Sequence, residues 1–342
     1  MANSLVLVVP GLLAQPLQRI AGVPALRALA RYADPPRSEP RGIAAALFAA
    51  LGIAPATPVA PLALLGAGGD PGDDYVLCAD PVHLVADRDT VLLVQTIDDL
   101  SQADVETLVT MLDRHFSDDG VQFEAPRPAA WFVRRREPAD LVTTPPDAAR
   151  GGNLIASLPR GADSGTWKRW QNEIEMLLYE HPVNAARELR GMPPANALWF
   201  WGGGRMADVA PVPPTIVAAP QTRLGDLARG IARRGGRDCA PSNADPARLV
   251  ALADGANIDT AGAPMCCVAV TAPLGDDLER VAATSLVPAM DLLTTRRIAA
   301  LHVVGDGNGT AATWTATPPT LWQRLAARVS PRAFEVAPPA DA

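Results

Sequence analysis

The chain opens with an apolar run, Leu5–Val9, which is followed by Pro10 and Gly11. A short β-branched run that ends in turn residues predicts a buried strand rather than a signal peptide, because no basic residue precedes it. From residue 215 onwards, strand-like apolar runs alternate with amphipathic helical segments, and the last of these runs is Ile298–Val304. This alternation predicts an α/β fold whose mostly parallel sheet has helices on both faces.

The middle of the chain has a different pattern. The short runs Tyr75–Cys78, His83–Ala86 and Thr90–Thr96 predict strands of an antiparallel meander. Ser101 is a suitable N-cap for an amphipathic helix over Gln102–Phe116. A helix that covers a small sheet would form a compact α+β module.

Two further helices follow this module. Thr166–Tyr179 carries its apolar side chains on one face, and His181-Pro182 begins a second helix that Gly191 ends. A strand over Ala197–Trp201 and the glycine run Gly202–Gly204 come next. The sequence therefore predicts a core formed by residues 1–72 and 192–342, interrupted at 73–191 by the α+β module with its connecting helices.

Composition narrows the class of protein. Of the 342 residues, 48% are hydrophobic and 20% charged, and the net charge of −7 argues against binding to nucleic acid. No stretch of about 18 uninterrupted apolar residues is present, so we expect no membrane span. The four cysteines form no C-x-x-C pair, which suits free buried thiols in a reducing compartment, and we expect a cytoplasmic protein.

One block of residues is more specific than a fold class. It contains His181-Pro182-Val183-Asn184, Arg187, Gly191, Pro193-Pro194-Ala195-Asn196 and Trp199–Gly204. The block resembles a signature of the archaeal-type cofactor-independent phosphoglycerate mutases. The segments Pro58–Gly66, Asp80–His83 and Phe132–Arg134 resemble other parts of the same family. In particular, the chain resembles a bacterial offshoot of that family, the RpfE-type regulatory proteins.

The resemblance implies an alkaline-phosphatase-like core and a two-metal site at which a Ser or Thr nucleophile takes the phosphoryl group. Thr57 matches the nucleophile, although Pro58 stands where the family has Asp. The first strand ends in Pro10-Gly11 instead of the metal-binding Asp-Gly, and Thr271–Asp276 lacks the expected His. Gly305-Asp306-Gly307 keeps only the Asp of Gly-Asp-His, so Asp306 is interpreted as a relic of a metal ligand.

The histidines decide how much of a metal site could remain. The whole chain has four, and only His181 is expected near the cleft that the resemblance implies. Because three imidazole ligands cannot be assembled there, the leading hypothesis is a phosphoglycerate-mutase-like pseudoenzyme without a resident cofactor. Its role would be regulatory or the sensing of a small anionic metabolite bound between core and module.

The candidate ligand-binding residues have structural interpretations as well. Helix capping would explain His181, a structural hydrogen bond Asn184, and a tight turn the glycine run. The candidates are His181, Asn184, Arg187, Asn196, Gly203 and Arg134.

Two alternatives to a pseudoenzyme remain open at this point. One is an active metal-dependent phosphoryl-transfer enzyme, a mutase or phosphatase, that uses Thr57 with Mn²⁺ or Zn²⁺. The other is a scaffold that binds a protein partner through an exposed tryptophan-rich surface near Trp167, Trp170 and Trp199.

Overall fold

A computed structural model of the chain describes residues 3–87, 90–150, 154–237, 239–240, 245–255 and 265–319. Its strands are β1 (Asn3–Val9), β2 (Arg37–Glu39), β3 (Tyr75–Asp87), β4 (Thr90–Thr96), β5 (Val121–Arg127), β6 (Ala130–Arg135), β7 (Ala197–Gly204), β8 (Thr215–Ala218), β9 (Cys266–Val270), β10 (Ile298–Gly307) and β11 (Thr310–Ala316). Its α-helices are α1 (Leu17–Gly22), α2 (Pro24–Tyr32), α3 (Ile43–Ala50), α4 (Ala60–Ala67), α5 (Gln102–His115), α6 (Pro146–Ala149), α7 (Leu154–Ser157), α8 (Ser164–Tyr179), α9 (Pro182–Leu189), α10 (Arg223–Arg234), α11 (Pro246–Gly255), α12 (Leu278–Val281) and α13 (Val287–Thr294).

The chain divides into two compact units. Unit 1 is formed by residues 1–56 and 211–342, and unit 2 by residues 57–210. Unit 2 is thus larger than the insert expected at 73–191. The physical reason is that β7 hydrogen-bonds to β3 from Val76↔Gly204 to Val82↔Ala197, while α4 packs against both of these strands.

Unit 1 is built on a six-stranded sheet with the order β2-β11-β10-β1-β9-β8. Strands β10, β1, β9 and β8 are parallel, and β11 and β2 continue the sheet with antiparallel pairing. Leu5 and Leu7 lie in a core cluster with side chains of α2, α11 and α13. Val6 and Val8 point to the opposite face and are equally buried, and α3 and α10 contact the sheet without joining that cluster. The predicted α/β class, with helices on both faces of a mostly parallel sheet, is confirmed.

Unit 2 contains an antiparallel sheet in which β3 is the central strand. Strands β6 and β4 pair in succession with one edge of β3, β5 pairs with β6, and β7 pairs with the other edge of β3. One face is covered by α5 and α8, whose apolar residues form a single cluster with Leu77, Trp131 and Phe200. Strand β7, which the sequence assigned to the core together with its glycine run, therefore belongs to this antiparallel sheet, and Gly202–Gly204 form its last residues rather than a loop after a parallel strand.

Two expectations drawn from composition can be compared with the described residues. Among them, no helix is long and apolar enough to cross a membrane. All four cysteines are free thiols, and Cys78 and Cys267 are fully buried. Burial raises the pKa of Cys267 to about 12, so this thiol is protonated at neutral pH.

Candidate functional site

Three segments meet at one edge of the unit 1 sheet. Because β1, β9 and β10 are parallel, their carboxyl ends lie side by side. The Leu274 N–H donates to the Pro10 carbonyl over 2.9 Å, and the Gly11 N–H donates to the Asp306 carboxylate over 2.7 Å. The structure thus brings together the segments for which the resemblance implies metal ligands: Pro10-Gly11, Thr271–Asp276 and Gly305–Gly307.

The chemistry at this edge is limited. Asp306 is the acidic side chain hydrogen-bonded to the end of β1, and the backbone of Gly11 already uses one of its oxygens. Gly11 has a φ of 83°, which favours glycine and lets the chain turn sharply there. Asp276 is fully exposed and pairs with Arg19 over 3.5 Å. The hydrogen bond from Gly11 gives the Asp306 carboxylate a structural role in stabilising this turn. A pair of metal ions would need several further ligands.

Three of the four histidines, His83, His115 and His181, belong to unit 2, and His302 belongs to unit 1. His83 contacts the Pro194 carbonyl, His115 pairs with Glu173, and His302 contacts the Thr315 hydroxyl. Across the described ranges, no three His, Cys, Asp or Glu side chains come together in a group that could hold a metal ion. The residues present therefore do not fit the two-metal centre that the resemblance implies.

Thr57 lies in unit 2, in the turn before α4, and is 8% exposed. The next residues pack against the end of β7: the Val59 N–H donates to the Gly202 carbonyl over 3.0 Å. A Cβ added at Gly204 would collide with Pro58, and one added at Gly203 would collide with the Tyr75 hydroxyl. The glycines are thus explained by close packing within unit 2.

Asn184 and Arg187 are among the few buried polar residues of the chain, with 3% and 1% exposure. The Asn184 amide donates to the carbonyls of Leu178 and Ala195 and accepts from the Ala195 N–H. The Arg187 guanidinium donates to the Pro193 carbonyl and, over 2.7 Å, to Asp99. These contacts fasten α9 to the segment that leads into β7.

Asn196 extends the pairing of β7 with β3. Its side-chain oxygen accepts from the Leu84 N–H, and its side-chain nitrogen donates to the Leu84 carbonyl, both over 2.8 Å. The amide thus takes the place of one more residue of a neighbouring strand, at the point where the β3–β4 register shifts between His83 and Leu84. This is a structural use of Asn196.

His181 and Arg134 complete the candidate set. The His181 Nδ1 accepts from the Val183 N–H, which makes His181 the N-cap of α9, and burial lowers the pKa of its imidazole. Arg134 forms ion pairs with Asp74 and Glu124 and donates to the carbonyls of Asp70 and Pro71. Arg134 therefore holds the loop after α4 against the sheet.

The three tryptophans that the scaffold hypothesis places on the surface are buried. Trp167, Trp170 and Trp199 are 1%, 5% and 2% exposed. Trp167 and Trp170 stack edge to face in the core of unit 2, and the Trp199 indole donates to the Thr144 carbonyl. The apolar face of α8 that carries Trp167 and Trp170 packs into the core cluster of unit 2.

A groove that was not predicted from the sequence lies within unit 2. It measures about 340 Å³ and lies where α8 ends and α9 begins. His181, singled out from the sequence, contributes to its wall. Four other lining residues could have been found from their spacing, since the three on α8 and its C-cap recur at helical intervals on one face. The lining comprises His115, Glu173, Met176, Leu177, Glu180, His181 and Pro182.

Comparisons with known proteins place the chain among relatives of one kind. No protein-family model matches it. It is 42% identical over 65 residues to a 2,3-bisphosphoglycerate-independent phosphoglycerate mutase of Methanothrix thermoacetophila, which is 19% of this chain and 17% of the relative. It is 28% identical over 178 residues to the corresponding mutase of Methanosarcina mazei, which is 49% of this chain and 43% of the relative. The chain thus matches less than half the length of either relative.

Solved structures resemble the chain over most of its length. The PH0037 protein of Pyrococcus horikoshii superposes with a TM-score of 0.50 at 15% identity, covering 92% of this chain and 87% of that one. A cofactor-independent phosphoglycerate mutase of Thermoplasma acidophilum gives a TM-score of 0.41 at 17% identity, covering 93% and 90%. The first of these likenesses supports the fold. The sequence matches make this chain a homologue of the archaeal-type cofactor-independent phosphoglycerate mutases.

Proposed function

We propose that this chain is a phosphoglycerate-mutase-like pseudoenzyme, a homologue of the mutases that acts in regulation by binding rather than by phosphoryl transfer. The observation that supports it is the carboxyl edge of the unit 1 sheet. Three segments converge there, yet the Asp306 carboxylate is engaged by the Gly11 N–H, and Pro10 stands where the resemblance implies a metal ligand. The two-metal mechanism that the resemblance implies needs several open ligands to hold the ions that neutralise the transition-state charge.

The competing proposal is an active enzyme that uses Thr57 as nucleophile. Homology to mutases favours it, but Thr57 is 8% exposed and is followed by Pro58, which packs against Gly204. A threonine hydroxyl is a weak nucleophile unless a base or a metal activates it.

A mutase assay and a phosphatase assay separate these two proposals. The purified chain is assayed with millimolar Mn²⁺ or Zn²⁺, beside a known cofactor-independent mutase as positive control. We expect turnover no higher than that of the buffer blank, and no difference between the wild type and Thr57→Ala. Metal-dependent turnover that Thr57→Ala abolishes would overturn the pseudoenzyme proposal.

The sensing of a small anionic metabolite is a separate part of the proposal. The donors of Asn184, Arg187 and Asn196 already bond to backbone or to Asp99, so these side chains would have to exchange partners to hold an anion. A thermal-shift panel of phosphorylated metabolites tests it. A ligand at about 100 times its dissociation constant adds about 2.7 kcal/mol to the free energy of unfolding. If no compound raises the unfolding temperature, the proposal that the chain senses an anionic metabolite is wrong.

A further inference from the structure

The groove at the end of α8 has no role in the proposal above. Its walls come from the last residue of α5, the last two turns of α8 and the first residues of α9, all within unit 2. About 340 Å³ is the volume of a small ligand or of one large side chain.

The polar lining of the groove is acidic. Glu173 lies on α8, and Glu180, seven residues further on, is the C-cap of that helix, so the two carboxylates lie on the same face. Glu173 is compensated by Arg169 at 3.8 Å, and the His115 Nε2 lies 3.2 Å from its carboxylate. Glu180 is not: in the part of the chain that the structure describes, no basic side chain pairs with it, and α8 has no basic residue in its last turn. The negative end of the helix dipole adds to the charge of Glu180.

The N-terminus of α9 offers no unpaired N–H group at Val183, Asn184 or Ala185 that could offset this negative charge. The Val183 N–H of α9 is already bound to the His181 imidazole, and the N–H groups of Asn184 and Ala185 bond to the His181 carbonyl. Because His181 accepts at Nδ1, its neutral form carries the proton on Nε2. An anion would meet the uncompensated carboxylate of Glu180 here, so the groove is suited to a cation.

The remaining lining is apolar and exposed. Met176 is 66% exposed, and Leu177 and Pro182 contribute aliphatic surface to the same groove. Tyr179, at the end of α8, is 82% exposed. Arginine and lysine combine an alkyl stem with a charged head, and they bury the stem along apolar surface while the head stays at the polar rim.

We infer that this groove recognises a basic side chain, arginine or lysine, that a partner polypeptide presents. The stem lies on Met176 and Pro182, and the charged head reaches Glu180. Charge complementarity supports this occupant, since the chain carries a net charge of −7 and the groove itself is acidic. The inference does not depend on whether the chain is a pseudoenzyme.

An NMR titration of the full-length protein tests the inference. The probes are two acetylated, amidated pentapeptides of sequence Ser-Leu-X-Leu-Ser, in which X is arginine or its neutral isostere citrulline. We expect the arginine peptide to shift backbone amide signals of residues 173–183, and the citrulline peptide to bind about tenfold more weakly because it lacks the charge. Added salt should weaken only the arginine peptide.

A test variant and a matched control variant accompany the titration. Glu180→Gln should lower the affinity for the arginine peptide by about tenfold. Glu175→Gln makes the same charge change on the same helix but does not line the groove, so it should leave the affinity unchanged. Equal binding of the two peptides, an equal effect of the two variants, or no shifts with millimolar arginine peptide would each overturn the inference. If butylguanidinium alone binds as tightly as the arginine peptide, the polypeptide partner is wrong.

Discussion

At the scale of single residues, Asn184 shows how a polar side chain can be fully used by the fold. It lies 3% exposed between α8 and the segment before β7, and its amide makes three hydrogen bonds to backbone groups. Alanine at this position would leave the Ala195 N–H and C=O without these partners in a buried environment. An unsatisfied buried group costs about 1–3 kcal/mol.

We therefore expect Asn184→Ala to lower the free energy of unfolding by about 2 kcal/mol or more, measured by urea denaturation. Asn172→Ala, on the exposed face of α8, is the matched control and should change it by less than about 0.5 kcal/mol. If both variants cost the same, Asn184 does not have the structural role described here.

The sequence predicted part of this residue-scale picture. The capping role of His181 and a structural hydrogen bond from Asn184 were both among the interpretations drawn from the motif, and the structure contains both contacts. The partner of Arg187 is different. Asp99 lies 88 positions away, in the segment between β4 and α5, and nothing local in the sequence relates the two residues.

At the scale of elements, the start of α9 depends on a titratable cap. The His181 Nδ1 accepts from the Val183 N–H, and only the neutral imidazole can do so. Burial lowers the pKa of His181 in the folded state, so the unfolded chain binds a proton more readily. The contribution of the cap is therefore complete above about pH 6.5, the pKa of an unperturbed histidine, and is lost as the pH falls below it.

We expect His181→Asn, which caps without titrating in this range, to be less sensitive to acid than the wild type. Between pH 7.5 and pH 5.5, the wild type should lose more free energy of unfolding than the variant does. Denaturant melts at both pH values measure the difference. Equal losses in the two proteins would show that His181 stays neutral or does not cap the helix.

Some elements could not be predicted from local patterns. The sequence suggested two strands on either side of Asp80-Pro81, but β3 is continuous. Proline is tolerated because the partner strand on one edge of β3 changes at this point. On that edge, β6 pairs with β3 up to Cys78, and β4 pairs with it from Val82 onwards. The Pro81 carbonyl accepts from the Ile97 N–H on that side, so the missing N–H of Pro81 faces the gap between two partners.

The helical segment that runs from α12 to α13 shows a related effect. It is continuous but contains a π-helical stretch, Ala282–Leu286, just before Pro288. Pro288 has no N–H for the carbonyl one turn earlier, and a wider turn is one way to accommodate it. The short strand β2 and strand β11 were missed because their alternation is weak, and pairing with β10 rather than local hydrophobicity determines β11.

At the scale of the whole molecule, each unit has its own buried core. The unit 1 cluster joins β1, β9 and β10 to α2, α11 and α13, and the unit 2 cluster joins β3, β6 and β7 to α5 and α8. The fold class followed from the alternation of strands and helices, which is a local signal. The extent of unit 2 did not, because it depends on the pairing of β7 with β3 across more than a hundred residues.

The last prediction concerns the stability of the whole molecule in the presence of metal. A metal ion that binds only the folded state, and is present at a concentration of about 100 times its dissociation constant, adds about 2.7 kcal/mol to the free energy of unfolding. This raises the unfolding temperature by several degrees. Here the Gly11–Asp306 hydrogen bond closes the edge of the unit 1 sheet, and the described residues hold no group of three metal-binding side chains. We therefore expect millimolar Mn²⁺, Zn²⁺ or EDTA to change the unfolding temperature by less than about 1 °C in differential scanning calorimetry, in contrast to a metal-dependent mutase measured beside it. A rise with Mn²⁺ that Asp306→Asn removes would show that Asp306 still binds metal.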